Sequence, residues 1–343
     1  MKIKLESLRG LEGTEEFVTR FEETVPDAIG ARIGEMDAES VGFPALLGEV
    51  LSVFSDRGSE LGSFFLFVLG AVMLMALASF SSGKLCRAAE CAVALIAGVS
   101  VFSRIYALSS AVSSTMGGVL NFFTAFIPIL TGVVAYGGGV GSAAAGAAGA
   151  NMTLGVMGAF VLPVLEGCVS LIFALGLVSA VGEEGAAGLA RRVKSFFTWL
   201  VGLASTLLLS SLALQSAIAS SSDTAAVRAA KYAASGTIPI VGGSVSSAMG
   251  TLTASVAYVK SVIGVGAITV ILMTVLSPLV TLLLYRLMLS AAEGMLDFLG
   301  VSFGARLFSS FRLALDVLAA VFALSVTVLI VETAFLMKSG AAL

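Results

Sequence analysis

The sequence contains no histidine, and charged residues make up only 12% of its 343 residues. Histidine is the usual general base and metal ligand near neutral pH, so its absence rules out Ser-His-Asp catalysis and most zinc chemistry. A soluble domain carries about 25% charged residues. This chain therefore has too few polar side chains to cover a globule in water.

Cysteine is also scarce, with only Cys86, Cys91 and Cys168. No two of them have the short spacing of a zinc or redox site, and we interpret them as small apolar residues of a helical bundle. The glycine-rich stretch 137–141 lacks the Lys-Ser/Thr of a phosphate-binding loop. We therefore expect no catalytic residue, cofactor or metal. Nucleic-acid binding is not expected either, because it needs clustered basic residues.

Apolar residues are abundant: 58% of the chain is hydrophobic, and its mean hydropathy is +1.04. This predicts an all-α, polytopic helical membrane protein with about six to eight membrane segments. The segments at 120–136 and 240–258 are poor spans, for which a full crossing and a re-entrant hairpin are both open. The eight candidate segments are 61–82, 88–117, 120–136, 152–181, 196–219, 240–258, 262–289 and 313–337.

Charge divides the chain into an acidic N-terminal region, 1–60, and a membrane domain, 61–343. The first holds 6 Lys and Arg against 13 Asp and Glu. Its apolar stripe at 43–54 predicts either a helical cap on the bundle or a helix that lies on the membrane or docks a partner. Basic residues near positions 84, 191 and 306 predict cytoplasmic loops. That orientation places the acidic region outside the cytoplasm, although residues 1–17 lack the apolar core of a signal peptide.

Two stretches resemble each other, Phe126-Ile-Pro-Ile-Leu-Thr-Gly132 and Thr237-Ile-Pro-Ile-Val-Gly-Gly243, and each precedes a tract of small residues. We predict a duplication with units at about 88–182 and 196–293 and a final span at 313–337. Chance similarity between apolar sequences is the alternative. Repeats with broken helices are typical of transporters. The candidate helix breaks are Pro128, Pro163, Pro239 and Pro278, and the candidate helix-packing residues are Gly138, Ser142, Gly146, Gly242, Ser246 and Gly250.

Charged residues inside the spans are the candidate functional residues, because charge is costly in hydrocarbon. They are Arg104, Glu166 and Arg286. Glu166 follows Pro163 by about one turn, and we expect it to pair with Arg104 or Arg286 inside the bundle. The alternative is that these side chains reach the membrane surface or pair for structural reasons. The last span carries Asp316 and Glu332 near its two ends.

The block Ala229-Ala-Lys-Tyr-Ala-Ala-Ser-Gly-Thr-Ile-Pro-Ile-Val-Gly-Gly243, with the small-residue tract and long helix after it, resembles the stage III sporulation protein AE family. The resemblance implies a membrane protein of endospore-forming bacteria, placed in the mother-cell membrane that faces the forespore. It also implies an export-gate or permease-like part of a channel complex between the two cells.

The partners implied by the resemblance are the other stage III A-operon proteins, including a cytoplasmic ATPase and ring-forming subunits, besides the lipid bilayer. A homo-oligomer is compatible with the sequence. The family supplies no catalytic residues. Two alternative functions stay open at this point: a stand-alone small-molecule transporter, and a non-conducting membrane scaffold for ring-forming partners.

Overall fold

The computed structural model describes residues 19–20, 23–25, 43–79, 84–181, 184–237 and 242–338, and this part of the chain is helical with no strand. Seven long α-helices lie within these ranges, and a π-helical turn, Met157–Val161, joins the third to the fourth. The helices are α1 Phe43–Ser79, α2 Lys84–Tyr136, α3 Val140–Val156, α4 Leu162–Val181, α5 Glu184–Thr237, α6 Gly242–Phe298 and α7 Ser302–Lys338.

The all-α membrane fold predicted from the sequence is confirmed. Five helices of the described ranges are long and apolar enough to cross a membrane, and a shorter apolar helix covers Leu165–Ser179. Together they make six apolar helices rather than the eight candidate segments, because two predicted segments are not separate. The stretch 120–136 is the end of α2, and most of 240–258 is the beginning of α6. Neither stretch forms a re-entrant hairpin of its own.

The predicted boundary at residue 60 lies within a continuous helix. Helix α1 begins at Phe43 and runs without a break to Ser79, so the apolar stripe at 43–54 is the first part of the helix that carries the first span. Of residues 1–42, only 19–20 and 23–25 belong to the described part of the chain. The rest of the acidic region lies outside it.

Helix α7 is the central helix of the bundle. In its most apolar window 56% of the residues are buried, against 17% for the window on α5. Helix α5 exposes Phe196, Trp199 and Leu207. Such side chains suit contact with lipid, and Trp prefers the membrane interface. Helices α2 to α6 therefore pack against α7, with α5 towards the outside, while α1 packs mainly against α6 and α2.

One side of α7 packs against α4 and α3, which run antiparallel to it. Near the start of α7, a methyl group added to Gly176 would lie 2.7 Å from the Cβ of Ser310. Near its end, a methyl group on Gly146 would collide with Leu336. Glycine at both contacts lets the helix axes come close, which is how helices associate where lipid removes the hydrophobic driving force.

Another side of α7 packs antiparallel against α6 in the same way. A methyl group on Gly304 would lie 2.7 Å from the Sδ of Met75 and 3.1 Å from the Cδ1 of Leu296. At the far end, one on Gly264 of α6 would collide with Met337. The register of α7 against both neighbours is therefore fixed at each end by glycine.

The turns that precede α3 and α7 end the preceding helices in the same manner. Gly138 has φ 86° and Gly300 has φ 74°, the left-handed conformation that favours glycine. After α2, the Gly139 N–H donates to the Val134 carbonyl at 3.0 Å, and the matching bond is present after α6. This is the Schellman arrangement, which satisfies the last carbonyls of a helix within a short turn. It reverses the chain without an extended loop.

The α4–α7 contact predicts a specific sensitivity to side-chain size. Gly176→Ala forces a methyl group against Ser310, and overpacking of this kind costs about 1–3 kcal/mol. Gly167→Ala on the same helix is the matched control, since a methyl group there meets no atom within 4 Å. We expect a lower melting temperature for the first variant and an unchanged or slightly higher one for the second, followed as loss of the monodisperse protein on heating in detergent. Equal melting temperatures would contradict the contact.

Candidate functional site

The three charged residues singled out in the sequence do not form one site. The Arg104 Nη1 donates to the Ser63 Oγ at 3.2 Å, and its guanidinium lies 5.6 Å from the centre of the Phe67 ring. It therefore ties α2 to α1. Glu166 lies exposed on α4 and pairs with neither Arg104 nor Arg286. The expected pairing of Glu166 is wrong.

Arg286 instead pairs with Asp316 of α7, which also accepts a hydrogen bond from the Lys194 Nζ of α5 at 2.5 Å. The Asp316 side chain is 12% exposed, while those of Lys194 and Arg286 are 30% and 45% exposed. We call these three residues the Asp316 cluster. One carboxylate serves two cations and so joins α5, α6 and α7 at one point.

Two further contacts lie at the same end of the bundle. The Arg312 guanidinium meets Glu293 with two hydrogen bonds, at 2.7 and 3.4 Å, and so links α7 to α6 a second time. The Arg306 Nε donates at 3.3 Å to the Ser179 carbonyl in the last turn of α4. A cation is favourable there because the final carbonyls of a helix carry partial negative charge.

Basic residues from three separate predicted loops or span ends thus meet at one end of the bundle, which we call the basic end. Lys194, Arg286 and Arg306 belong to three different helices, yet each bonds to a neighbour there. Sequence reasoning placed Lys194 and Arg306 on the same side of the membrane. The geometry agrees with that prediction.

The six candidate helix-packing residues occupy different kinds of position in the structure. Ser142 and Gly146 are buried on α3, and Gly146 faces α7. Gly138 is exposed and forms the turn before α3, so its predicted packing role is wrong; its positive φ explains the glycine. Gly242, Ser246 and Gly250 lie on α6, but the burial and packing at these positions are outside the described part of the structure.

The candidate break positions also differ from one another. Helix α2 continues through Pro128 and α6 continues through Pro278, so neither proline ends a helix. Pro163 comes two residues after the π-helical turn, where the hydrogen-bond pattern does change. Pro239 lies outside the described residues. The predicted duplication depends on the segment that holds Pro239 and stays a prediction.

Sequence reasoning did not rank two residues of α7 that the structure makes prominent. Asp316 is the centre of the Asp316 cluster, and Glu332 is fully buried. The available signal was their position, since each is an acidic residue within an apolar span. Both lie near the ends of the span, where charged side chains usually reach water, so the sequence pattern did not single them out as functional residues.

The described residues offer no group of three or more Cys, Asp or Glu side chains arranged to hold a metal ion. An apolar cleft of about 240 Å³ lies between α1 and α2, lined by residues such as Phe67, Leu74 and Ile96. With almost no polar lining, it fits a hydrocarbon chain better than a polar solute.

These features define a polytopic α-helical membrane protein whose bundle is held by glycine contacts and by ion pairs at one end. The family model for stage III sporulation protein AE matches residues 40–339. The chain belongs to this family, and it is a sporulation-associated membrane protein. Among curated proteins and among solved structures, no match to the chain was found.

The Asp316 cluster predicts that Asp316→Asn destabilises the bundle, because it leaves Lys194 and Arg286 without their counter-charge. We expect a loss of about 1–3 kcal/mol, between the values for exposed and for buried pairs. Glu166→Gln removes an exposed carboxylate and is the matched control. Both are measured as melting temperatures of the detergent-solubilised protein. A decrease of the same size in the two variants would contradict a joining role for Asp316.

Proposed function

We propose that this protein is the membrane-embedded, permease- or export-gate-like component of a channel complex between the mother cell and the forespore. The observation that carries the proposal is the family match over residues 40–339, which covers every helix described here. A bundle of several apolar helices suits a component that acts within the membrane rather than at its surface.

We also propose that the protein lies in the mother-cell membrane that faces the forespore, with the basic end in the mother-cell cytoplasm. Short segments rich in Lys and Arg stay preferentially on the cytoplasmic side. The meeting of Lys194, Arg306 and Arg312 at one end supports a single side for all three. The basic end is then the surface available to a cytoplasmic ATPase, and the opposite end faces the ring-forming subunits.

Within this proposal the Asp316 cluster holds the cytoplasmic end of the bundle together. Three helices meet at one carboxylate, and a second ion pair links α6 to α7 nearby. The opposite end has glycine contacts between α3, α6 and α7. Movement of helices during transport is therefore easier at the end away from the cytoplasm.

Replacement of the native family member in an endospore-forming bacterium tests the role. We expect this chain to restore heat-resistant spores and to co-purify with ring-forming subunits from sporulating cells. Asp316→Asn should lower the spore count about tenfold, because a loss of a few kcal/mol reduces the abundance of the folded protein. Glu166→Gln should leave the count unchanged.

Two results would favour the other functions. Transport of a defined solute by the purified protein alone in liposomes would indicate a stand-alone transporter. Restored sporulation by variants in which disulfides between introduced cysteines lock the helices would indicate a non-conducting scaffold. Neither result is expected under the proposal.

The proposed orientation predicts which introduced cysteines a membrane-impermeant reagent reaches. In a variant without Cys86, Cys91 and Cys168, Ser195→Cys should react only from the cytoplasmic side. Ser195 is exposed and neighbours Lys194 at the basic end. Ser261→Cys, on the opposite end of α6, is the matched control and should react only from the other side. A reversed pattern would show that the bundle has the opposite orientation in the membrane.

A further inference from the structure

Glu332 lies on α7 near the end opposite the Asp316 cluster, about 24 Å along the helix axis from Asp316. It is 0% exposed, on a helix whose most apolar window has a mean hydropathy of 2.5. Neither carboxyl oxygen has a hydrogen-bond partner of ordinary geometry within the described part of the chain. The Thr153 side chain of α3, itself 4% exposed, faces the carboxyl group. Glu332 thus faces α3 without a partner for its charge.

No charged group of the described residues lies opposite Glu332 on any helix that packs against α7. On α6, Gly264 meets Met337, so the antiparallel register places Lys260 about 13 Å along the axis from the level of Glu332. Glu166 is exposed and lies 13 residues beyond Thr153. The stretches around Glu332 contain no titratable side chain: 107–135, 140–165, 195–222, 261–284 and 317–331.

An ionised carboxylate without a partner is very costly at a buried position within an apolar span. While α3 and α7 are in contact, the Glu332 carboxyl group is therefore expected to be neutral and to carry a proton. Ionisation requires that α3 and α7 separate enough to admit water. Proton binding and the closeness of this helix contact are consequently linked.

The local structure of α3 favours such a movement. Its side towards α7 consists of small residues, including Gly146 and Ala150, and the large side chain that packs there is Leu336 of α7. One turn after Thr153 the helix changes to the π-helical turn Met157–Val161. Pro163 has no N–H, so the carbonyl four residues before it lacks an α-helical donor. Turns of this kind are frequent at functional sites and weaken the helix where α3 would bend.

From the burial, the missing partner and the facing hydroxyl, we propose that Glu332, beside Thr153, is a binding site for one exchangeable proton at the contact between α3 and α7. The inference goes beyond the proposed function, because it assigns a ligand and a moving contact that a channel component does not require. It does not depend on the partners or on the cell in which the protein works.

Infrared spectroscopy of the full chain in lipid nanodiscs tests the proposal directly. Between about pH 5 and pH 9, we expect the carboxylic-acid carbonyl band of one buried residue to fall reversibly as the pH rises. This band should be missing in Glu332→Gln, which keeps the shape of the side chain, and present in Glu166→Gln, the matched control. A band that is absent at every pH, or that never changes, would overturn the proposal.

Carbodiimide labelling of the unmodified chain gives a second measurement that needs no variant. The apolar reagent reacts with protonated carboxyl groups, and peptide mass spectrometry locates the adduct. We expect Glu332 to be labelled, and its labelling to decrease at least severalfold from low to high pH as the carboxyl group loses its proton. Protection by sodium at constant pH, absent with choline, would show a metal-cation site and refute a proton site. If the sporulation test failed, this result would still stand, because the labelling is measured on the chain itself.

Discussion

Close approach between α7 and its antiparallel neighbours is the contact on which the rest of the structure depends. Lipid tails solvate leucine as well as another helix does, so helices in a bilayer need shape and polar contacts to associate. Gly176 and Gly304 allow a neighbouring side chain to approach the backbone closely near the start of α7, and Gly146 and Gly264 do so near its end. A bulky residue at any of these positions would separate α7 from a neighbour along much of its length.

Polar contacts are distributed unevenly over this framework. The described ion pairs between helices lie at the basic end, where Asp316 and Arg312 connect α7 to α5 and α6. In the described residues the opposite end has a buried carboxyl on α7 and a facing hydroxyl on α3. The basic end is thus held by ion pairs as well as by close packing, and at the other end Leu336 and Met337 pack against Gly146 and Gly264.

The fold class follows from the low charge and from the long apolar runs, because such runs can span a bilayer as helices that satisfy their own backbone hydrogen bonds. The family resemblance followed from one short block around Thr237–Gly243. Helix boundaries were less predictable. Prolines such as Pro128 and Pro278 end helices in water but are tolerated in membrane helices, where neighbouring groups satisfy the freed carbonyls. The predicted boundaries at 117–120 and 258–262 lie away from both prolines, and they were wrong because α2 continues through Gly118 and α6 continues through Lys260.

The pairing of charges was not predictable from the sequence, because it depends on the register between helices that are distant in the chain. Arg286 was expected to meet Glu166, but the antiparallel packing of α6 against α7 brings it to Asp316. Burial of Glu332 has the same origin: its position near a span end suggested contact with water, whereas α3 covers it. Spacing rules within one helix carry no information on these contacts.

The one-sided placement of the ion pairs has a consequence for the mechanics of α7. A slide of one helical turn, about 5.4 Å, would break the bonds of Asp316 and Arg312 at the same time, whereas a tilt about the basic end leaves them intact. Tilting about the basic end is therefore the movement of α7 that preserves these ion pairs. Such a tilt would displace most the segment that carries Glu332, because that segment lies farthest from the charged residues.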